Sequence, residues 1–298
     1  ISHVFYRNSN KSCYLNAMIE KTDVVIIGAG PVGLFAIFEL GLLNISCHVI
    51  DNLDKPGGQC AELYPEKPIY DIPSRVSITG QELTDDLLAQ SKPFKPVYHL
   101  SQQVEKIKKL ESNEWLLTTS VNKSIQAKCI VIAAGAGSFV PRKLPIKNIK
   151  HLEVKNILYA VRNKSILEGK KLLIVGGGDS ALDWTNELSK TSNVTLMHRR
   201  KEFKASPDSV SKMLDLEKNK KVNFLMGQIQ NIEDSNNGKI RVETKNNDKT
   251  TNFEVDYLLP FFGLKMELGP IANWGLNLEE NLIAVDTKKF ETSVHSIF

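Results

Sequence analysis

The chain has 298 residues, 42% of them hydrophobic and 24% charged, the balance of an ordinary globular protein with room for two domains. A formal charge of +4, carried by basic residues spread along the chain, makes no case for nucleic acid, and no apolar run is long enough to cross a bilayer as a helix. Of the four cysteines, Cys13, Cys47, Cys60 and Cys129, none forms a C-x-x-C pair and none has metal-ligand spacing with a histidine; the sequence offers no dithiol and no metal site, and reads as a reduced, cytoplasmic protein.

Residues 1–17 are polar and irregular and lack the apolar core of a signal peptide. Met18 stands just before the first strand-like run, so residues 1–18 are expected to be a disordered leader or upstream sequence, with a short presequence as the alternative. Asp23-Val24-Val25-Ile26-Ile27 reads as a buried strand, followed by Gly28-Ala29-Gly30-Pro31-Val32-Gly33, an apolar helical stretch from Leu34 to Leu43, and a second strand from Cys47 to Ile50 that ends at Asp51. Residues 52–80 are rich in proline and glycine and predict a loop. A helix is expected over 81–90, with Leu83, Leu87 and Leu88 on one face, then strands over 97–111, 114–121 and 129–134.

The pattern then restarts. A strand over 172–175 leads into Gly176-Gly177-Gly178-Asp179-Ser180-Ala181, a helix to about Lys190, and a strand over 194–197 that ends at His198-Arg199-Arg200. Further strands are expected over 222–232, 239–244 and 253–259, with linkers at 139–145 and 260–263. One architecture occurs twice, which predicts duplication at domain scale.

In the first G-x-G-x-x-G, Gly28 permits the tight turn, Gly30 lets a pyrophosphate approach the backbone, and Gly33 lets helix and strand pack closely. The helix start adds unpaired N–H groups and partial positive charge. Asp51, 23 residues after Gly28, is placed to accept hydrogen bonds from ribose hydroxyls. The plain alternative is a glycine turn with a surface aspartate. In the second motif Gly176, Gly178 and Ala181 form G-x-G-x-x-A, and the same offset from Gly176 falls on Arg199, followed by Arg200. A carboxylate there would repel a ribose 2′-phosphate, whereas a guanidinium pairs with it through two hydrogen bonds. Lys204 adds charge to the same region. The first site is therefore expected to take FAD or NAD and the second NADPH, the alternative for the second being a solvated basic turn. Side chains supply no hydride acceptor, so one nicotinamide site calls for a second redox carrier, and a flavin in the first site meets that need.

With these residues in view, the chain resembles the thioredoxin-reductase-like type of ferredoxin–NADP reductase. The resemblance spans about residues 20–298. Its more specific segments are Gly57-Gly58-Gln59-Cys60-Ala61-Glu62-Leu63-Tyr64-Pro65-Glu66-Lys67 and Gly135-Ala136-Gly137-Ser138-Phe139-Val140-Pro141-Arg142; Ile69-Tyr70-Asp71, His198-Arg199-Arg200 and Asn273-Trp274-Gly275-Leu276 add to it. The resemblance implies a homodimer with non-covalent FAD, hydride transfer from NADPH, and onward transfer to ferredoxin or flavodoxin. It implies FAD contacts at Asp51, Gln59, Tyr64, Val104 and Phe139, and no catalytic side chain. An acidic protein partner would suit Arg142, Lys143 and Lys147.

The fold expected is α/β, with two Rossmann-like dinucleotide-binding domains and the NADPH domain inserted in the FAD domain. The FAD domain comprises 19–137 and 263–298, and the NADPH domain 138–262. Thioredoxin reductase, the near rival, carries a C-x-x-C ahead of its second glycine motif, whereas residues 157–169 here contain no cysteine. A diaphorase with another acceptor, a non-enzymatic dinucleotide-binding fragment, and a disulfide reductase using Cys60 with a partner thiol are the remaining alternatives. The resemblance also predicts a further segment beyond Phe298, of Ala-Ile-Gly-Asp type, that closes the FAD site.

Overall fold

The computed structural model describes residues 19–298 apart from positions 138, 139, 154, 236, 247 and 248, so the expected leader lies outside it. The first β-α-β unit is β1 (Glu20–Ile27), α1 (Pro31–Leu42) and β2 (Cys47–Ile50), with β1 and β2 parallel and Ile27 level with Ile50. The apolar run of β1 is buried on both faces, as a central parallel strand must be. Val24 and Ile26 pack with Leu34 and Ile37 of α1, and Val25 and Ile27 pack on the other side.

That other side is covered by an antiparallel meander, β4 (Val104–Lys109), β5 (Trp115–Thr119) and β6 (Ser124–Ile132), whose residues Val104, Trp115, Leu117 and Ile125 complete the same core. With β3 (Val97–His99), the six strands run in the order β3-β2-β1-β6-β5-β4. The single strand expected over 97–111 is thus two, β3 and β4, parted by a turn in which Ser101 has φ 55°.

The proline- and glycine-rich stretch is more ordered than its composition predicts. It holds a short helix, α2 (Gly58–Leu63), and a pairing of Pro68–Ile69 with Ile78–Thr79. Next, α3 (Gly80–Ser91) starts from a reciprocal cap: Glu82 N–H donates to Thr79 Oγ1 at 3.2 Å, and Thr79 N–H donates to Glu82 Oε2 at 2.8 Å.

The second unit repeats the plan with β7 (Lys171–Val175), α4 (Asp179–Leu188) and β8 (Asn193–His198). A helix absent from the sequence expectations follows, α5 (Pro207–Lys218), started by Ser206, whose side chain accepts from Ser209 N–H, and by Pro207 in the first turn. Among its side chains Met213 is fully buried, so its amphipathic pattern is thin.

β9 (Val222–Met226) and β13 (Tyr257–Pro260) complete a four-stranded parallel sheet in the order β9-β8-β7-β13. Between them lies an antiparallel sheet of β10 (Gln228–Asp234), β11 (Ile240–Asn246) and β12 (Lys249–Val255). Trp184 and Met213 fill one face of the parallel sheet, while Leu152, Ile157 and Val242 fill the other.

The chain crosses between the sheets twice. The crossings lie side by side: Val140–Pro141 pairs antiparallel with Leu264–Lys265. Residues after the second crossing return to the first sheet, where Ile297 bridges Ile130, and Ile132 N–H donates to the Phe298 carbonyl at 2.7 Å.

Candidate functional site

The first glycine turn is closed by sterics. Gly28 has φ +107°, and a Cβ on it would stand 2.4 Å from the Ala133 carbonyl oxygen; a Cβ on Gly33 would overlap the Gly28 carbonyl. Gly30, by contrast, faces open space, its nearest neighbour in that direction being Gly58 Cα at 3.9 Å. It also caps α1, whose first-turn amides have no carbonyl four residues back.

Asp51 has a task the sequence did not reveal. Its Oδ2 accepts from Ala29 N–H at 2.6 Å and its Oδ1 from Leu53 N–H at 2.8 Å, so the carboxylate clasps the glycine turn to the following loop. Each oxygen keeps a second lone pair for a ribose hydroxyl.

Gly28, Gly30, Asp51, Gln59, Tyr64 and Val104 all line one cleft of about 410 Å³. Gly33 stands behind it, in the contact of helix and turn. Gln59, on α2, lies with Nε2 3.9 Å from where a Gly135 Cβ would be. Tyr64, at the end of α2, reaches from the cleft into the core of the second unit, and burial pushes its phenol well above the usual range. Phe139 lies outside the described residues. The sequence reading missed much of the far wall, which comes from residues 267–271 and Trp274. Gly275 and Gly269-Pro270 marked a turn there, but nothing local says which sheet that turn returns to.

Gln102 and Trp274, both in the wall, each carry a buried polar atom, Oε1 and Nε1, with no hydrogen-bond partner among the described residues. Such groups are costly unless something pairs with them.

The second glycine turn has the same backbone plan with one difference in count. Gly28 N–H donates to the Ile50 carbonyl at 2.8 Å, and Gly176 N–H to the Met197 carbonyl at 3.1 Å. Ile27 is level with Ile50, and Val175 with Met197. The residue equivalent to Asp51 is therefore His198; Arg199, which the fixed offset selects, stands one place further out, because the second unit has one residue fewer between its glycine turn and the matching point of its strand, α4 having 10 residues against 12 in α1.

The imidazole packs against Gly177, the counterpart of Ala29, and stacks on Phe203 with centroids 5.5 Å apart. Burial and the adjacent Arg199 push its pKa down, so it is a neutral packing group.

Arg199, Arg200 and Lys204 are exposed, and none of them enters an ion pair among the described residues. Lys204 is held at the turn by its backbone, its N–H donating to the Gly177 carbonyl at 2.7 Å. Gly178 is open in the same way as Gly30, with nothing nearer than the Lys204 carbonyl oxygen at 3.9 Å, and Ala181 is fully buried where α4 meets β7.

A Cβ on Gly177 would stand 2.4 Å from the His198 ring. Gly177→Ala is thus expected to displace the ring and tilt the Arg199–Lys204 loop, costing about 1–3 kcal/mol of stability, measured as a lower Tm.

The family model described as pyridine nucleotide-disulphide oxidoreductase matches residues 22–298. A ferredoxin–NADP reductase of Parvibaculum lavamentivorans is 54% identical over 279 residues, covering 93% of this chain and 81% of the relative. One of Mesorhizobium japonicum is 53% identical, covering 94% and 82%. The chain belongs to the pyridine nucleotide-disulphide oxidoreductases, in the ferredoxin–NADP reductase group.

Solved structures agree on the fold: thioredoxin reductases of Lactococcus lactis (TM-score 0.77, 22% identity, covering 93% of this chain and 88% of that one) and T. acidophilum (TM-score 0.78, 21% identity, covering 94% and 89%) superpose on it.

As a reductase of this family, the chain has no paired thiols among the described residues: Cys47, Cys60 and Cys129 are all free. Burial pushes all three up, Cys47 to about 11, which keeps them as unreactive thiols. The family fold implies FAD, and the first cleft fits it. Gly30 is open to a pyrophosphate, Asp51 has lone pairs left for a ribose, and apolar walls carry two unpartnered polar atoms.

The two units meet through α2 and the residues after it. Lys67 pairs with Asp183 of α4 at 2.6 Å, Arg162 pairs with Glu62, and Lys164 N–H donates to Glu66 Oε2 at 2.5 Å.

Proposed function

We propose that this protein takes reducing equivalents from NADPH and, through FAD, delivers them to ferredoxin or flavodoxin. The observation that carries the proposal is the pairing of two alike glycine turns whose strand ends differ in charge. A carboxylate, Asp51, follows the first, and Arg199 and Arg200, in no ion pair among the described residues, flank the second. FAD, when bound, supplies the passage from two-electron to one-electron transfer that no side chain offers.

This chain's own residues bind and orient. Gly28, Gly30 and Gly33 with the start of α1 receive the FAD pyrophosphate, Asp51 its ribose, and Gln59, Tyr64, Val104 and Phe139 the remainder. Gly176, Gly178 and Ala181 receive the NADPH pyrophosphate, while Arg199, Arg200 and Lys204 receive the 2′-phosphate. The NADPH unit, residues 138–262, is read as an insertion in an FAD unit of 19–137 and 263–298. The side-by-side crossings and the return of Ile297 to Ile130 support that division. We further infer a homodimer, and a cytoplasmic location consistent with three free thiols; light scattering of the purified protein tests the first.

The deciding experiment combines a spectrum and a turnover assay. A yellow protein bleached by NADPH that then reduces ferredoxin supports the proposal, and Cys60→Ser is expected to change that rate by less than about twofold. Colourless protein that binds NADPH would make it a binding module. Reduction of artificial acceptors alone would make it a diaphorase, and loss of activity in Cys60→Ser would restore the disulfide reductase reading.

A further inference from the structure

We propose that Glu20, His48 and His99 form a divalent transition-metal site of two histidines and a carboxylate, with Zn²⁺ the best-matched ion. The three residues are far apart in sequence, which hides them from any spacing rule, and the fold brings them together from three adjacent parallel strands of one sheet. His48 lies on β2 and shares the face of Ile50, two residues on; His99, on β3, is level with Ile50. That is the face covered by the meander. Glu20 opens β1, and Lys123, from the turn between β5 and β6, reaches the same point.

His48 Nδ1 lies 3.0 Å from His99 Nε2, and Glu20 Oε2 lies 3.6 Å from each. Around a tetrahedral ion with ligands at about 2.0–2.1 Å, neighbouring donor atoms stand about 3.4 Å apart, so these three atoms already hold three corners. The imidazoles are the inner ligands, with side chains 12% and 3% exposed, and the carboxylate is at the mouth, 36% exposed. The fourth corner is left for water. Nitrogen and carboxylate donors with an open place suit Zn²⁺ and its late first-row neighbours better than Mg²⁺ or Ca²⁺.

Lys123 is the competitor. Its Nζ lies 2.8 Å from Glu20 Oε1 and 3.2 Å from His99 Nδ1. With that ammonium donating to Nδ1, the His99 proton sits on Nε2 and is donated to His48. Binding an ion at Nε2 moves the proton to Nδ1 and releases Lys123 from His99, while its contact with Glu20 Oε1 stays. No net proton is lost. The ion would join the start of β1 to β2 and β3, close to the first cleft, since Asp51 N–H donates to the His99 carbonyl at 3.0 Å.

The test uses the full, untagged chain stripped with EDTA and titrated with ZnCl₂ or CoCl₂ alone. The expected result is one ion per chain, a Tm that rises with Zn²⁺ concentration, and visible Co²⁺ bands of a four-coordinate nitrogen–oxygen site. Glu20→Gln and His48→Gln are each expected to weaken Zn²⁺ binding at least about tenfold, and Lys123→Met to tighten it. Glu20 is at the mouth, so its variant keeps the fold if His48→Gln does not. Equal Zn²⁺ affinity in wild type and Glu20→Gln, a Co²⁺ spectrum of the hexahydrate alone, or a thiolate charge-transfer band placing the ion on cysteine would each overturn the proposal.

Discussion

Replacing Arg199 and Arg200 together by alanine is expected to raise the KM for NADPH by roughly 100-fold or more while changing that for NADH by less than about twofold. Each guanidinium–phosphate pair is a charge-assisted contact worth about 1.5–3 kcal/mol, and NADH lacks the group that makes it. Both side chains are exposed and make no ion pair among the described residues, so their removal leaves no buried charge behind and the fold is kept. Lysine at both positions retains the charge without the planar fork and is expected to fall between. Steady-state kinetics with the two nucleotides and an artificial acceptor give the answer. An equal rise for NADPH and NADH would show that the arginines shape the loop and do not read the phosphate.

Asp51→Ala is expected to weaken FAD binding by about 2–4 kcal/mol, about 30- to 1000-fold, because one carboxylate serves two purposes. It removes the ribose acceptor and also leaves Ala29 N–H and Leu53 N–H, held at 2.6 and 2.8 Å, without their partner. Asp51→Asn keeps a single acceptor oxygen and is expected to lose less. Fluorescence of flavin released on dilution measures both variants. NADPH binding to the second turn provides the control, since no part of Asp51 lines it. Retention of flavin by the alanine variant at wild-type strength would move the ribose site elsewhere.

Some of this was legible in the residues. The four apolar residues before Gly28 and the four before Gly176 read as buried parallel strands, and each glycine triplet follows its strand at once. The two turns, their helices and the acidic or basic strand ends could therefore be read from local order. The contrast between Asp51 and the arginines also needed no coordinates. The offset rule, however, assumes equal spacing from glycine turn to strand end, and a second unit one residue shorter over that stretch put His198 where Arg199 was expected. Helix α5 escaped because most of its apolar residues stay partly exposed.

The sequence by itself thus determined two nucleotide turns and their opposite charges, since a strand, a glycine turn and a helix start are set by residues within a few positions of each other. Only the tertiary structure decided what those turns face. It decided that 267–271 and Trp274 wall the first cleft, that Asp51 clasps Ala29, that His198 lies against Gly177, and that Glu20, His48 and His99 converge. The physical reason is that such contacts come from sheet order and from the folding of the meander over the parallel strands. Burying apolar faces drives both, and it leaves no mark in the spacing of the residues it brings together.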